Sequence, residues 1–460
     1  MKHRRKSGEE TPYIKLGIFS IRLPFWHYRF EWPDFAQGLL MCAVDLAAIP
    51  LMIELLGMPF EAALAVVMLN GLLYLTHHIL GDPVIPGWIT PAIPLVIAYC
   101  SQYEEGPERV QSLVAFQFLL GVFCIGLGMT GQVGRVVGLI PSSIKSGIIL
   151  GSGLAAVMSV FQKGGRFDMF PWSISICVGL AFYLVFSTHF QSLKARRRGL
   201  AMLGKLGIVP VMLLALLLAP LVGEVSWPTI EWGFSRPDFK TLWTEYTVFG
   251  VGIPPLEVFV KALPTAVAAY IILFGDVLQS KAIVAEADVI RSDEKIDYNP
   301  GRSHLIFGGR NALMSVIGPD VTMCGPMWAA MQVVVVERFK DGGKAMYSLF
   351  GGSGCFRWGT NFGLLLLPVV SLLKPVLGIA LALTLLIQGY ISFRIGVMEA
   401  RSQKDLGIAG VVGAVLATKG AAWGFAVGIV LCLLIYGRRF FSGDEGSAST
   451  DVDSGSSEDD

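Results

Sequence analysis

Charge is what this sequence has little of. Only 15% of its 460 residues are Asp, Glu, Lys or Arg, against about 25% in a soluble globular chain. Those few collect in short stretches between long apolar runs such as 211–222, 364–373, 379–387 and 421–436. A water-soluble domain is thereby excluded. The seven cysteines contain no CxxC pair, and Cys42, Cys124, Cys177 and Cys432 lie inside apolar runs, so neither a disulfide framework nor a metal site is indicated. P-loop, HExxH and GxSxG motifs are missing. A GxGxxG match at Gly126, Gly128 and Gly131 closes an apolar run with no βαβ unit around it. No nucleophile–base pair or metal cluster is visible, so an enzyme is not expected, and no cofactor beyond a coupling ion. The net charge of +1 comes with no basic patch interleaved with aromatics, which excludes nucleic acid as a partner. No short apolar stretch follows the basic start, so a cleaved signal peptide is not expected.

What is present is an all-α polytopic membrane protein. A bilayer core ~30 Å thick needs roughly 20 apolar residues at ~1.5 Å rise each, and the runs here are continuous, without the alternation of a barrel strand. About fourteen segments emerge: 34–56, 59–80, 85–100, 110–130, 141–161, 168–188, 204–222, 256–278, 303–317, 321–336, 357–373, 375–397, 406–418 and 421–437. They divide the chain into an interfacial N-terminal segment (1–33), a first seven-span repeat (34–222), an extracytoplasmic loop (223–255), a second repeat (256–437) and an acidic, disordered tail (438–460) with no room for a soluble domain. In 13–32, Lys15, Arg22 and Arg29 alternate with aromatic rings, a mixture suited to headgroups.

Positive charge tests the count. With the N-terminus cytoplasmic, every connection after an even-numbered span is cytoplasmic too. Those connections hold Arg196, Arg197 and Arg198, then Lys281, Arg291 and Lys295, then Arg338 and Lys340, then Arg401 and Lys404. Lys163 and Arg166 are the exception. Both termini are therefore expected in the cytoplasm, in a plasma or inner membrane.

Two segments are too short and too rich in Gly and Pro for ordinary spans. One begins Gly81-Asp82-Pro83-Val84 and continues through Gly87 and Trp88; the other begins Gly318-Pro319-Asp320-Val321 and continues through Gly325 and Trp328. They are the third and tenth segments, equivalent positions in halves of seven, and seven being odd, the halves are inverted across the membrane. Interrupted segments at matching positions point to a transporter's binding site. Each presents a half-helix N-terminus with about +0.5 of an elementary charge. The candidate ligand-binding donors are main-chain groups around Trp88, Ile89 and Thr90 on one side and Cys324, Gly325 and Met327 on the other, suited to an anion or a carbonyl-rich polar molecule.

A charge at mid-membrane costs about 2.5–3.5 kcal/mol on insertion scales and usually has a task. Asp276 lies in the eighth span with Ser280 one turn later on the same face. Together they form a candidate metal site for Na⁺, or the carboxylate carries a proton; the alternative is an interfacial Asp paired with Lys281 or Lys261. Asp45, among small residues in the first span, is either a substrate-binding residue or the buried partner of a cation such as Lys145. Arg310 reads as structural, Glu54 and Glu61 as solvated, and His77 with His78 as an interfacial pair.

The run Phe274-Gly275-Asp276, then Ile283-Val284, a polar loop, and Leu313 to Ile317 leading into a broken tenth segment resembles the nucleobase–cation symporters, the xanthine/uracil permease family. Ile85-Pro86-Gly87-Trp88 is similar to that family's strand-and-half-helix opening. The resemblance implies a seven-plus-seven inverted repeat with a core domain (spans 1–4 and 8–11) and a gate domain (spans 5–7 and 12–14), an architecture shared with the sulfate-permease-like anion transporters. It departs at two positions where the symporters carry glutamates that hold the nucleobase, here Ile272 and Pro326. The basic residue that the anion transporters often place in the tenth half-helix is also missing. Asp276 with Ser280 resembles the cation site of sodium-coupled bicarbonate members.

The expectation is an alternating-access secondary transporter of a small polar or anionic metabolite, nucleobase-like by resemblance, coupled to Na⁺ or H⁺. An inorganic anion or carboxylate transporter, or an uncoupled channel, is the alternative. The expected partners are the small-molecule substrate, the lipid bilayer and a second copy of the chain in a homodimer. Cysteines introduced at 196–198 and at 232–240 should label from opposite sides of the membrane. Labelling of both from one side would overturn the inverted arrangement.

Overall fold

A computed structural model describes residues 5–132, 135, 140–196, 200 and 209–437. The acidic tail, Arg197 and Arg198 lie outside these. Almost every element is a helix: α1 Trp32–Leu46, α2 Ala48–Leu56, α3 Phe60–Ile79, α4 Ile93–Cys100, α5 Pro107–Thr130, α6 Ser142–Phe161, α7 Pro171–Phe186, α8 Val209–Leu221, α9 Leu256–Ile290, α10 Pro300–Ile317, α11 Ala329–Lys340, α12 Leu349–Leu365, α13 Leu367–Leu373, α14 Leu377–Glu399, α15 Gln403–Lys419 and α16 Ala421–Tyr436. Among the described residues, six helical stretches are long and apolar enough to cross a bilayer: Trp32–Leu56, Phe60–Ile79, Pro107–Thr130, Ser142–Met169, Leu256–Ile290 and Leu367–Glu399.

Hydropathy misplaces two boundaries. The eighth segment does not stop at 278, because the helix runs on to Ile290 and puts Asp276 well inside it. The eleventh begins at Leu349 and breaks at Leu366, so Arg357 is at a helix centre and not at its start. The apolar run 364–373 drew the window forward past a glycine-rich stretch. The third and tenth segments are indeed interrupted: residues 80–89 and 318–328 are non-helical, and the half-helices start at Thr90, through a 3₁₀ turn Thr90–Ala92, and at Ala329.

The helices pack as two groups. In one, α12 lies on α1 and α3, α10 on α5 and α3, α9 on α5, and α11 on α9 and α12. In the other, α6 is wrapped by α14, α15 and α16, and α7 packs on α8 and α14. Contact is closest where glycine removes the side chain: a Cβ on Gly308 of α10 would lie 2.9 Å from the Gly121 carbonyl of α5. Lacking a hydrophobic drive between helices in lipid, such pairs associate through close backbone packing. The second group is tied by Lys145 and Glu399, 2.9 Å apart across α6 and α14. Arg166, the exception to the charge parity, is neutralised by Glu54 at 2.6 Å, so Glu54 is paired and not simply solvated.

The segment before α1 is a small β-structured strap. Strand β1 (Glu9–Glu10) pairs in parallel with β4 (Glu294–Lys295), and β2 (Ile14–Leu16) forms a hairpin with β3 (Phe19–Ile21). Buried Glu294 accepts hydrogen bonds from Thr11, Ser348 and the Leu349 amide. Arg291 beside Asp293 holds that carboxyl below the usual range through their hydrogen bond. At the entry to α1, Arg338 at the end of α11 donates to both Glu31 (2.9 Å) and Asp34 (2.6 Å). Both carboxylates are almost fully buried, so Arg338→Leu should destabilise the protein by about 3–5 kcal/mol, the cost of leaving buried charge uncompensated. Thermal melting in detergent checks this; a change under about 1 kcal/mol, the worth of an exposed pair, would contradict it.

Candidate functional site

Each interrupted segment is organised by its own aspartate. Asp320 accepts from the Thr322 amide (2.9 Å) and hydroxyl (2.7 Å), and Asp82 accepts a long bond from the Val84 amide (3.5 Å). A helix then holds each carboxylate from the side: Ser303 of α10 donates to Asp82 at 2.6 Å, and the Asn70 amide of α3 donates to Asp320. The two Gly/Asp/Pro openings therefore do the same local job in matching places. Gly81 enters its turn at φ 99°, a conformation that favours glycine.

The segments then cross as antiparallel backbone. Gly325 N donates to Gly87 O (2.8 Å), Trp328 N to Ile85 O (2.6 Å) and Ile89 N to Thr322 O (3.2 Å). Side chains take up most of what remains. Asn311 clamps Cys324 through both its amide (2.8 Å) and carbonyl (2.9 Å), Gln332 accepts from Ile85 N (2.8 Å), and Arg357 donates to Pro86 O.

This corrects the expected donors. The amides of Ile89 and Gly325 are spent on the crossing itself and that of Cys324 on Asn311, while Trp88 and Met327 are buried. Gly325 faces Ile89, whose Cγ1 would lie 3.2 Å from an added Cβ. The glycine serves segment-to-segment contact and not an approach to ligand. Of the expected residues Thr90 is partly exposed; at the start of α11 Ala329 is partly exposed and Ala330 exposed. These residues carry first-turn N–H groups that a helix cannot satisfy internally. The 3₁₀ turn that begins with Thr90 touches α6, α9 and α14, so this end lies where the two helix groups meet.

Behind the crossing sits a buried charge cluster. Asp45 pairs with Arg357 at 3.1 Å, so its buried cation is not Lys145, which belongs to Glu399. The guanidinium groups of Arg357 and Arg310 each lie 4.1 Å from the Tyr74 ring centroid. Arg310 donates one bond, to Asn70 O at 3.1 Å; its Nε and Nη1 have no hydrogen-bond partner, and no carboxylate pairs with it among the described residues. His77 and His78 are buried, because the strap before α1 covers the exit of α3: Ser20 N donates to Leu80 O (3.2 Å) and Arg22 N to Ile79 O (2.9 Å). Arg357 and Asn311 were missed in the sequence, and His77 was read as interfacial. Arg357 had a signal: it stands among Gly351, Gly352, Gly354 and Gly359, the small-residue pattern of a close-packed membrane helix.

Asp276 is partly exposed on α9, beside Gly275, where an added Cβ would meet open space. Neither expected lysine pairs with it: Lys261 binds Glu257 at 2.5 Å, and Lys281 is exposed. Ser280 is on the same face but donates to the main-chain carbonyl of Asp276 (2.7 Å), not to the carboxylate. Its hydroxyl oxygen keeps lone pairs for a cation, whereas no cluster of three His, Cys, Asp or Glu is present among the described residues.

Two interrupted segments crossing between two groups of membrane helices define a polytopic transporter fold. No family model and no curated protein matches the chain. Solved structures do. SLC26A9 aligns with a TM-score of 0.55 at 17% identity, over 88% of this chain and 65% of that one. Murine Slc26a9, described as an anion transporter in the inward-facing state, gives 0.52 at 17% identity over 89% and 68%. The chain thus has the fold of these proteins and spans about two-thirds of their length.

Arg357→Met should leave Asp45 uncompensated and lower stability by about 3–5 kcal/mol. Adding Asp45→Asn should recover a large part, because the two residues share one interaction. Additive losses in melting experiments on the double variant would show that the pair does not act as a unit.

Proposed function

We propose that the protein is a secondary active transporter of a small anion, working by alternating access between the two helix groups. One observation carries the reading: two half-helix N-termini, at Thr90 and at Ala329–Ala330, follow a shared backbone crossing, and the turn at Thr90 touches the other helix group. Both ends are partially positive, and Arg310 and Arg357 lie behind them. Such a site favours negative charge without a basic side chain in the half-helix. The likeness to SLC26A9 agrees with this choice, and the absence of the symporters' glutamates at Ile272 and Pro326 weighs against a nucleobase.

Asp276 is the group through which Na⁺ or H⁺ couples to transport, with Ser280 as a further oxygen for Na⁺. The support is its unpaired carboxylate on the helix that packs against both half-helices. The halves 34–222 and 256–437 form the inverted repeat, with both termini cytoplasmic. The symporter resemblance contributes the idea of cation coupling to this reading.

Uptake into proteoliposomes with bicarbonate, sulfate, chloride, oxalate, uracil and xanthine tests it. An anion should accumulate against its gradient, and uracil and xanthine should not; the reverse outcome ends the anion reading. Asp276→Asn should lower gradient-driven accumulation at least ~10-fold, about 1.4 kcal/mol of driving interaction, while exchange between equal pools persists. Full accumulation by this variant would remove Asp276 from coupling.

A further inference from the structure

Three carboxylates, Asp45, Asp82 and Asp320, and two guanidinium groups, Arg310 and Arg357, surround the crossing, none more than 4% exposed. With all five ionised the cluster holds one uncompensated negative charge, a strongly disfavoured state away from water. One bound proton would balance it. Asp45 is no place for that proton, since it is paired with Arg357. Asp320 accepts from the Thr322 amide and from Asn70, and the Thr322 hydroxyl is within reach of both its oxygens.

The buried histidines differ in what they face. His304 Nδ1 lies 2.7 Å from the Pro300 carbonyl and so donates; its Nε2 lies 3.1 Å from the Tyr270 hydroxyl and accepts from it, which makes a satisfied neutral ring. His78 Nδ1 lies 3.1 Å from the Asp82 carbonyl, and its Nε2 has no partner, so a second N–H there would be stranded. Nδ1 of His77 has no hydrogen-bond partner either, but among the described residues His77 is the one histidine with a buried carboxylate at ion-pair distance. Nε2 is 3.4 Å from Cys324 Sγ, and Nδ1 is 3.7 Å from Asp82 Oδ2. Asp82 is in the first broken segment and Cys324 in the second, so the ring bridges the two.

We propose that His77 is a proton-binding site of the crossing, held as imidazolium between Asp82 and Cys324. The other groups facing it do not compete. Tyr74 on its own helix is neutral, Arg310 and Arg357 are counted above, and the nearby cations Arg22 and Arg302 are paired with Glu10 (3.2 Å) and Asp297 (2.9 Å). The proton makes the cluster neutral and links α3 to both interrupted segments. Given the anion site proposed above, it also has a transport consequence. An anion at Thr90 and Ala329 strengthens the hold on this proton, and the proton strengthens the anion's binding by the same factor. Such a site is distinct from Asp276, which is on another helix.

The test needs no substrate. The full chain, ¹⁵N-labelled at histidine and held in lipid nanodiscs, is followed by NMR at pH 8. An ordinary histidine, of pKa about 6.5, is then only about 3% protonated. One histidine should show both ring nitrogens protonated, and that signal should be missing from His77→Gln. In Asp82→Asn the cluster is balanced without the proton, so the signal should convert to a neutral ring. If His77→Gln does not fold, replacing the other five histidines singly by Gln assigns the signal by elimination. Six neutral histidines at pH 8, or an imidazolium that maps to another residue, overturns the proposal. Either result leaves the anion reading untouched, just as failure of anion uptake would leave the proton assignment standing.

Discussion

Everything in this molecule that is not a plain membrane helix follows from one constraint: a peptide group inside the bilayer must find its hydrogen bond within the protein. Residues 80–89 and 318–328 abandon the helix at depth, and each would strand its amides and carbonyls if it were alone. They are satisfied by each other, through Gly87, Gly325, Ile85, Trp328, Ile89 and Thr322. The pairing dictates much of the surrounding chemistry. Asn311, Gln332 and Arg357 serve carbonyls and amides left over, and Asp82 and Asp320 turn the chain at the start of each segment. Polar residues on α3, α10, α11 and α12 that look costly one by one are thus the price of a single crossing.

The crossing also explains why charges are buried where lipid would forbid them. Arg357 reaches the Pro86 carbonyl, and a guanidinium at that depth requires a counter-ion, which Asp45 provides. Tyr74 lies between Arg357 and Arg310 and spreads both charges over its ring face. The half-helix ends are therefore set on a stiff foundation: their lead-in backbone, the side chains that satisfy it and the ions that balance those side chains form one connected network. A rigid site at the seam between two helix groups is what rocking-type alternating access needs, since the groups can move while the ligand's donors keep their geometry.

Much of this was legible in the sequence, and the limits were physical. The two broken segments stood out because Gly, Asp and Pro recur in matching order, which is a local property. Their hydrogen-bond partners did not, because Ile89 and Gly325 find acceptors far along the chain. The open donors are consequently at Thr90, the last of those expected on its side, and at Ala329, two residues past Met327. Asp45 was legible as a buried charge, but its partner was hidden: hydropathy made Arg357 a span boundary, although glycines on either side of it mark the middle of a packed helix. The two histidines were read as interfacial since they end a span, a rule that says nothing of burial when a distant segment, here the strap before α1, covers the helix end. The i, i+4 spacing of Asp276 and Ser280 was correct, yet spacing does not say whether a hydroxyl binds a side chain or, as here, the carbonyl one turn back.

Two groups in the helical core are left with unspent charge, and they sit on different elements. Arg310 of α10 belongs to the crossing and has two free guanidinium nitrogens; Asp276 of α9 is outside the network and has no cationic partner. In a medium where isolated charge is strongly disfavoured, each is stable only if something else supplies the balance. For Arg310 the nearby carboxylates of the cluster supply part of it, in the arrangement that also retains a proton at His77. For Asp276 nothing in the described protein does, and the open space beside Gly275 leaves room for a small cation. On the proposed reading, the positive half-helix ends and an ionised Asp276 take ligands of opposite sign on helices in contact. Binding one ligand then reduces the electrostatic cost of the other, and on that reading this mutual compensation is the physical basis for moving an anion and a cation together.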